Sequence, residues 1–303
     1  MTGLEFRGLD GANPLAFLAG LGTLCTLTRA WPDRMVRIGW QRSAGAWRPL
    51  LATDTRATET EVVAALDREL RREGARRPFE LGPDLNVTPD HFREVAGKVA
   101  SADPPDRRSA DFLAAFGCEA MVSNGTIQDT ALRTMSGAGH QHFLDSMKEL
   151  VARTTAEHLR AALFDSWRYD DERPSMRWDP SDDRRYALRW RDPSKDQIRT
   201  VRGANRLAVE ALVLFPTAPV GSRLETTGFR GRGSRDTYWR WPIWTAPVSV
   251  DVVRSLVALS WIQPIGERPF DREMLTRMGI AEVYSSQRLT VGKYRNFSPA
   301  QPV

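Results

Sequence analysis

A chain of 303 residues, 41% hydrophobic and 27% charged, is long enough to bury an ample core as one large or two ordinary domains. Two cysteines, Cys25 and Cys118, exclude a disulfide framework and a cysteine-built metal knuckle, so a reducing cytoplasm is the expected setting. No apolar run reaches the ~20 residues of a bilayer span, and the longest, residues 14–27, has neither the basic leader nor the cleavage site of an export signal.

Charge divides the chain unevenly. Residues 1–165 carry 20 Lys and Arg against 22 Asp and Glu, a net of −2, while residues 166–303 carry 23 against 16, a net of +7. Of the 43 basic residues 39 are arginine, a side chain that forks onto phosphates and stacks on bases. A GC-rich genome also favours arginine over lysine, but it does not account for the asymmetry between halves. A polyanionic partner for the second half is the expectation.

In chain order, Leu4-Glu5-Phe6 reads as a short strand leading to a helix that starts at Pro14, with Asn13 as its N-cap, and ends before Trp31-Pro32. Leu15, Phe17, Leu18, Leu21, Leu24 and Cys25 cover most of its circumference, which predicts burial on several sides. Gly20 and Gly22 inside it cost about 2 kcal/mol against alanine, so they predict the close approach of another backbone or a ligand. Met35–Trp40 and Trp47–Leu51 read as a hairpin. A helix capped by Thr58 or Thr60 spans Glu61–Glu73, another starts at Thr88-Pro89, and a short one covers Asp111–Gly117. Ser123–Gly139 is polar and glycine-punctuated, and one long amphipathic helix is expected from there to Phe164. After Trp167 the texture changes to short strands, turns, tryptophans and arginines. The predicted fold is α+β, with a mainly helical interaction domain over 1–165. A basic α+β domain with an Arg- and Trp-rich sheet follows over 166–303. Within it, Arg184–Trp190 reads as a half-buried strand, Asn205–Leu214 as a helix, and Leu224–Thr226 as a strand pairing with Tyr238–Trp241. Val250–Trp261 and Asp271–Met278 are expected helices. Val283–Ser285 and Leu289–Val291 are small strands before a basic tail.

The opening pattern Asp10-x-x-Asn13-Pro14-x-x-Phe17-x-Ala19-x-x-Gly22-x-Leu24, followed by Trp31-Pro32, resembles the start of subunits accessory to type I-G (formerly I-U) CRISPR interference complexes. The phrase Val209-Glu210-Ala211-Leu212-Val213-Leu214-Phe215-Pro216 resembles a mid-chain segment of the same group. The likeness implies a non-enzymatic subunit of a guide-RNA-directed antiviral complex. Its partners would be the other effector subunits and guide RNA or target DNA, with no cofactor, metal or membrane involved.

The residues themselves supply candidate contacts. Gly228-Phe229-Arg230-Gly231-Arg232-Gly233-Ser234-Arg235 combines free backbone, charge from Arg230, Arg232 and Arg235, and a stacking face on Phe229. A solvated hairpin loop is the plainer alternative. Arg184, Arg185, Arg189, Arg202 and Arg206 could track phosphates, unless Asp179, Asp182, Asp183, Asp192 and Asp196 pair with them. The turn Arg202-Gly203-Ala204-Asn205-Arg206 opens a helix whose free N–H groups suit a phosphate. Lys293 and Arg295 in the tail complete the set. Tyr238, Trp239, Trp241 and Trp244 suit a core better than a base-stacking platform. Two rival readings remain open: a metal-dependent phosphodiesterase built on Asp179–Asp183, and a protein-interaction subunit that touches no nucleic acid. His140-x-His142 lacks the further ligands of a metal site.

Overall fold

The computed structural model describes residues 3–72, 77–135, 142–182, 199–231, 236–262, 271–291 and 294–303. Strand β1 (Leu4–Glu5) leads into α1 (Pro14–Ala30), where the Asn13 side chain accepts the Ala16 N–H at 3.1 Å and Pro14 takes the first helical position. Strands β2 (Val36–Ser43) and β3 (Ala46–Thr53) form the expected hairpin, and Ala44 and Gly45 supply the two positive φ angles of its two-residue turn. β1 pairs with β3 to complete a three-stranded sheet. Helix α2 (Glu59–Arg71) begins with a reciprocal capping box between Thr58 and Glu61, and Thr88 caps α3 (Pro89–Ala100). Helix α4 (Arg107–Phe116) starts earlier than its apolar residues suggest, because Asp106 is its cap.

A hairpin follows, β4 (Gly117–Ser123) and β5 (Thr126–Asp129), turning on Asn124 and Gly125, both at positive φ, so that its turn and second strand lie in the polar stretch 123–139. The single long helix expected to run to Phe164 is two, α5 (Phe143–Arg153) and α6 (Ala156–Phe164). Apolar periodicity continues through the break, but Thr155 caps α6 and the His158 side chain bonds back to Thr155, so the chain restarts there. Strands β6 (Asp171–Glu172) and β7 (Arg199–Thr200) pair just before α7 (Arg202–Glu210), which runs into a 3-10 turn over Leu212–Leu214.

Strand β9 (Arg223–Thr226) pairs with β8 (Thr217–Val220), not with the tryptophan strand as expected, because the tight turn at Gly221 makes them a local hairpin. The tryptophan strand lies in a larger sheet. Its members are β10 (Phe229–Arg230), β11 (Tyr238–Trp244), β12 (Ile280–Val291) and β13 (Tyr294–Phe297) in that spatial order, with β14 (Gln301–Pro302) also on β12. The two short strands expected over 283–291 are one continuous β12. Between β11 and β12 lie α8 (Val250–Val257), shorter than expected, and α9 (Arg272–Arg277). The fold is α+β. The strand expected at Arg184–Trp190 lies outside the described residues. No helix among the described residues is long and apolar enough to cross a membrane.

Helix α1 is buried without interruption from Pro14 to Leu27. One side meets α7 so closely that a Cβ at Gly22 would lie 1.7 Å from the Leu207 carbonyl oxygen. That is the reason for a glycine that helix propensity disfavours. Another side meets the aromatic core: Phe17 stacks on Trp40 at 5.6 Å and lies 5.6 Å from Trp241 and 6.0 Å from Trp239. The indole N–H groups of Trp241 and Trp244 donate to the carbonyls of Gly11 and Ile38, both at 2.8 Å. These aromatics are core, each burying roughly 150–250 Å². A helix from the first half therefore packs on a helix and a sheet from the second, and the expected division at 165 does not separate two cores.

Candidate functional site: two arginine clusters

The first cluster surrounds Glu210 at the C-terminal end of α7. Arg206, one helical turn earlier, donates to Oε1 at 2.7 Å. Arg29, at the end of α1, and Arg108, in the first turn of α4, both donate to Oε2, at 2.7 and 2.6 Å. Arg29 also reaches Glu69 on α2 at 3.4 Å. Burial pushes the Glu210 pKa up, but the opposing pull of Arg108, Arg206 and Arg29 is larger and holds it well below the usual carboxylate range. Three helices thus converge on one buried carboxylate, with α2 joined to it through Glu69 and Arg29. Breaking such a cluster from within leaves several charges buried without a partner.

The second cluster lies where the large sheet outgrows its partner strand. The last register pair of β11 with β12 is Tyr238 with Gln287, and the Arg288 N–H still donates to the Thr237 carbonyl at 2.8 Å; from Leu289 onward β12 pairs only with β13. Strand alternation puts residues 284, 286, 288 and 290 on the side that carries Trp239 and Trp241, since Ser286 opposes Trp239 and Tyr284 opposes Trp241. Phe297, opposite Arg288, ends the aromatic core there, 5.7 Å from Trp239. Beyond it this face carries Arg288, Thr290 and Arg295. Thr290 opposes Arg295, which makes the two arginines diagonal cross-strand neighbours.

This overhang lies against the loop at 130–135. The Arg288 guanidinium donates to the Ala131 carbonyl at 2.9 Å and that of Arg295 to the Arg133 carbonyl at 3.5 Å. The Arg133 guanidinium nitrogens Nη1 and Nη2 are held by Asp84 at 2.9 Å, by Asn86 at 3.0 Å and by Asp129. Arg288 and Arg295 have no carboxylate partner among the described residues, and each guanidinium has five N–H donors. Burial, with Arg295 alongside, pulls the Arg288 pKa down to about 10. Asp129 opposes that shift without cancelling it.

Of the residues expected to touch nucleic acid, the structure brings only Arg295 to this place. Arg206 is 2% exposed and committed to Glu210, so it is not available to a phosphate. Phe229 is 4% exposed and stacks on Trp239 with an interplanar angle of 5°, which makes it core and not a stacking platform. Arg230 donates to the Phe229 carbonyl at 2.7 Å and pairs with Glu225 at 3.4 Å. At the start of α7 the Arg202 backbone N–H is already taken by the Asp171 carboxylate at 2.8 Å, so the phosphate expected there meets an acid. Gly203 serves packing instead: a Cβ would come within 2.0 Å of the His158 carbonyl oxygen. The Arg202 side chain lies against His158, 3.0 Å from Nε2, and Asp171, at 3.8 Å, beside a cavity of about 320 Å³ lined by His158, Arg160, Trp167, Tyr169 and Asp171 among others. Arg184, Arg185, Arg189, Arg232, Arg235 and Lys293 lie outside the described residues.

Asp179, the anchor of the rival metal site, is 2% exposed and accepts from the Tyr169 hydroxyl at 3.1 Å and the Ser181 N–H at 2.9 Å. Those bonds make it a turn-former. Asp183 lies outside the described residues. Among the described residues no three His, Cys, Asp or Glu side chains converge as a metal-binding group. Arg288 escaped the sequence reading because β12 was expected in two pieces. A single period-two strand through 284–290 would have put Arg288 on the Trp-bearing face.

No family model matches the chain, and no curated protein matches it either.

Proposed function

We propose that this protein is a non-enzymatic subunit of a guide-RNA-directed antiviral complex of the CRISPR type I-G kind, and that it holds the backbone of guide RNA or target DNA. The observation that carries the nucleic-acid part is the pair Arg288 and Arg295, two guanidiniums without a described carboxylate in the half of the chain whose net charge is +7. The subunit assignment rests on the resemblance of the Asn13-Pro14 helix entry and of the 209–216 segment. With Phe229, Trp239, Trp241 and Trp244 inside the core, contact at this face falls to arginine and phosphate, which is recognition without base reading. Guide and target are paired in such complexes, so a subunit of this kind has no sequence to read.

The test is fluorescence anisotropy of the full chain with labelled guide-length RNA and DNA across a salt series. Binding insensitive to base composition and falling linearly in log–log form with salt supports the reading. Absence of binding at low salt overturns it. The same oligonucleotides incubated with Mg²⁺ or Mn²⁺ should remain intact, and cleavage lost in Asp179→Ala would favour the phosphodiesterase reading instead.

A further inference from the structure

We propose that Arg288 and Arg295, on the overhanging end of the β12–β13 ribbon, form a discrete oxyanion site that seats a single phosphate group. The inference rests on the nucleic-acid reading above only for the source of that phosphate. The two side chains share one face of the ribbon as diagonal cross-strand neighbours. Each is anchored by one N–H to a carbonyl of a single short loop, Arg288 to Ala131 and Arg295 to Arg133, so both guanidiniums are brought to the same stretch of backbone. The neighbouring Arg133 cannot be the intended partner of an incoming anion, because Asp84 and Asp129 already hold it. Asp129 attracts Arg288 only from a distance, and neither acid makes an ion pair with Arg288 or Arg295 among the described residues.

Two forks with donors to spare match the several oxygens of a phosphate better than a carboxylate's two. The Thr290 hydroxyl, on the same face directly opposite Arg295, adds a further donor of the kind phosphate sites use. Elsewhere in the molecule a buried arginine cluster is matched by its own carboxylate, Glu210. Here the matching anion has to come from outside.

Inorganic phosphate, titrated calorimetrically into the full chain at constant ionic strength with chloride as the reference, tests the site without nucleic acid. Arg288→Gln with Arg295→Gln should lower phosphate affinity at least tenfold. Arg288→Lys, which keeps the charge but loses the fork, should weaken it severalfold. An Arg68→Gln, Arg93→Gln control, which removes the same charge from α2 and α3, should leave it unchanged. If the double variant does not fold by circular dichroism, Arg295→Gln alone carries the same comparison. In parallel, the salt slope for a labelled single-stranded oligonucleotide should become shallower by ~0.7, the share of one phosphate on a single strand, and not by twice that. Phosphate affinity equal in parent and double variant overturns the site. Oligonucleotide binding unaffected by the double variant, with no phosphate binding by the parent, overturns the site and leaves the nucleic-acid reading standing. Phosphate binding lost in the variant, with no oligonucleotide bound by either form, overturns the nucleic-acid reading and leaves the site standing.

Discussion

The Glu210 cluster and the β12–β13 overhang both gather arginines, and they differ in whether the chain provides the counter-charge. Around Glu210 three guanidiniums from three helices meet one carboxylate, with Glu69 beside them. At the overhang two guanidiniums meet only loop carbonyls. The first arrangement holds α1, α4 and α7 together. The second adds less to folding, because a half-buried cation held by loop carbonyls, beside a like charge and with Asp129 only at a distance, recovers little of its lost hydration. Arginine number alone therefore does not separate the two places; the presence or absence of a paired carboxylate does.

The largest expected effect comes from removing the counter-charge itself. Glu210→Ala leaves three arginines facing one another in the interior and should destabilise by about 3–5 kcal/mol, measured by urea unfolding. A small effect would mean that the cluster is not structural. The pH dependence sharpens the point. Because the folded pKa of Glu210 is depressed, its contribution is fully present above the unfolded value of ~4.3 and is lost as pH falls through the folded value. The stability gap between parent and Glu210→Gln should thus be wide at neutral pH and narrow steadily below ~4.

Next in size is the approach of α1 to α7, which brings Arg29 to Glu210. Gly22→Val should cost upwards of ~3 kcal/mol, since the new side chain meets Leu207 backbone rather than a movable group. Gly20→Ala should cost less, as its Cβ would lie 3.2 Å from the edge of the Trp40 ring. Equal melting temperatures for Gly22→Val and parent would refute the close-approach argument.

A direct exchange between the clusters follows. Arg206→Met removes a partner of Glu210 and should lower the melting temperature clearly. Arg288→Met loses one hydrogen bond, worth ~1 kcal/mol, but also removes an uncompensated cation, so its melting temperature should stay near that of the parent. If the two variants melt alike, the distinction between the clusters fails. The smallest effect is chemical. Cys25, on α1 beside Arg29, has its thiol pKa pushed up to about 12 by burial. A disulfide-exchange reagent at pH 8 should therefore label half-buried Cys118 and spare Cys25 until the protein unfolds.

Local signals in this chain were legible without a structure. The entry Asn13-Pro14, the box Thr58-x-x-Glu61, the start Thr88-Pro89 and the hairpin over 36–53 each depend on residues within a few positions of one another, and each forms as expected. The predicted closeness around Gly22 was legible too, because a glycine in so apolar a helix needs a reason. Less visible were the β4–β5 hairpin, whose turn and second strand fall in the polar stretch 123–139, and the restart at Thr155, where unbroken apolar periodicity concealed a cap.

The amino-acid order determined the caps, the apolar stripes and the basic bias of the second half. The tertiary structure decided which arginines that bias leaves available. Glu210 is 181 residues from Arg29 and 102 from Arg108, so no sequence window shows that these charges cancel. Phe229 and Arg206 stood in promising local contexts and are consumed by packing and ion pairing. Arg288 stood in an unremarked one and is left without a counter-charge. Charge compensation acts through space at a few ångströms, and only the folded chain sets those distances.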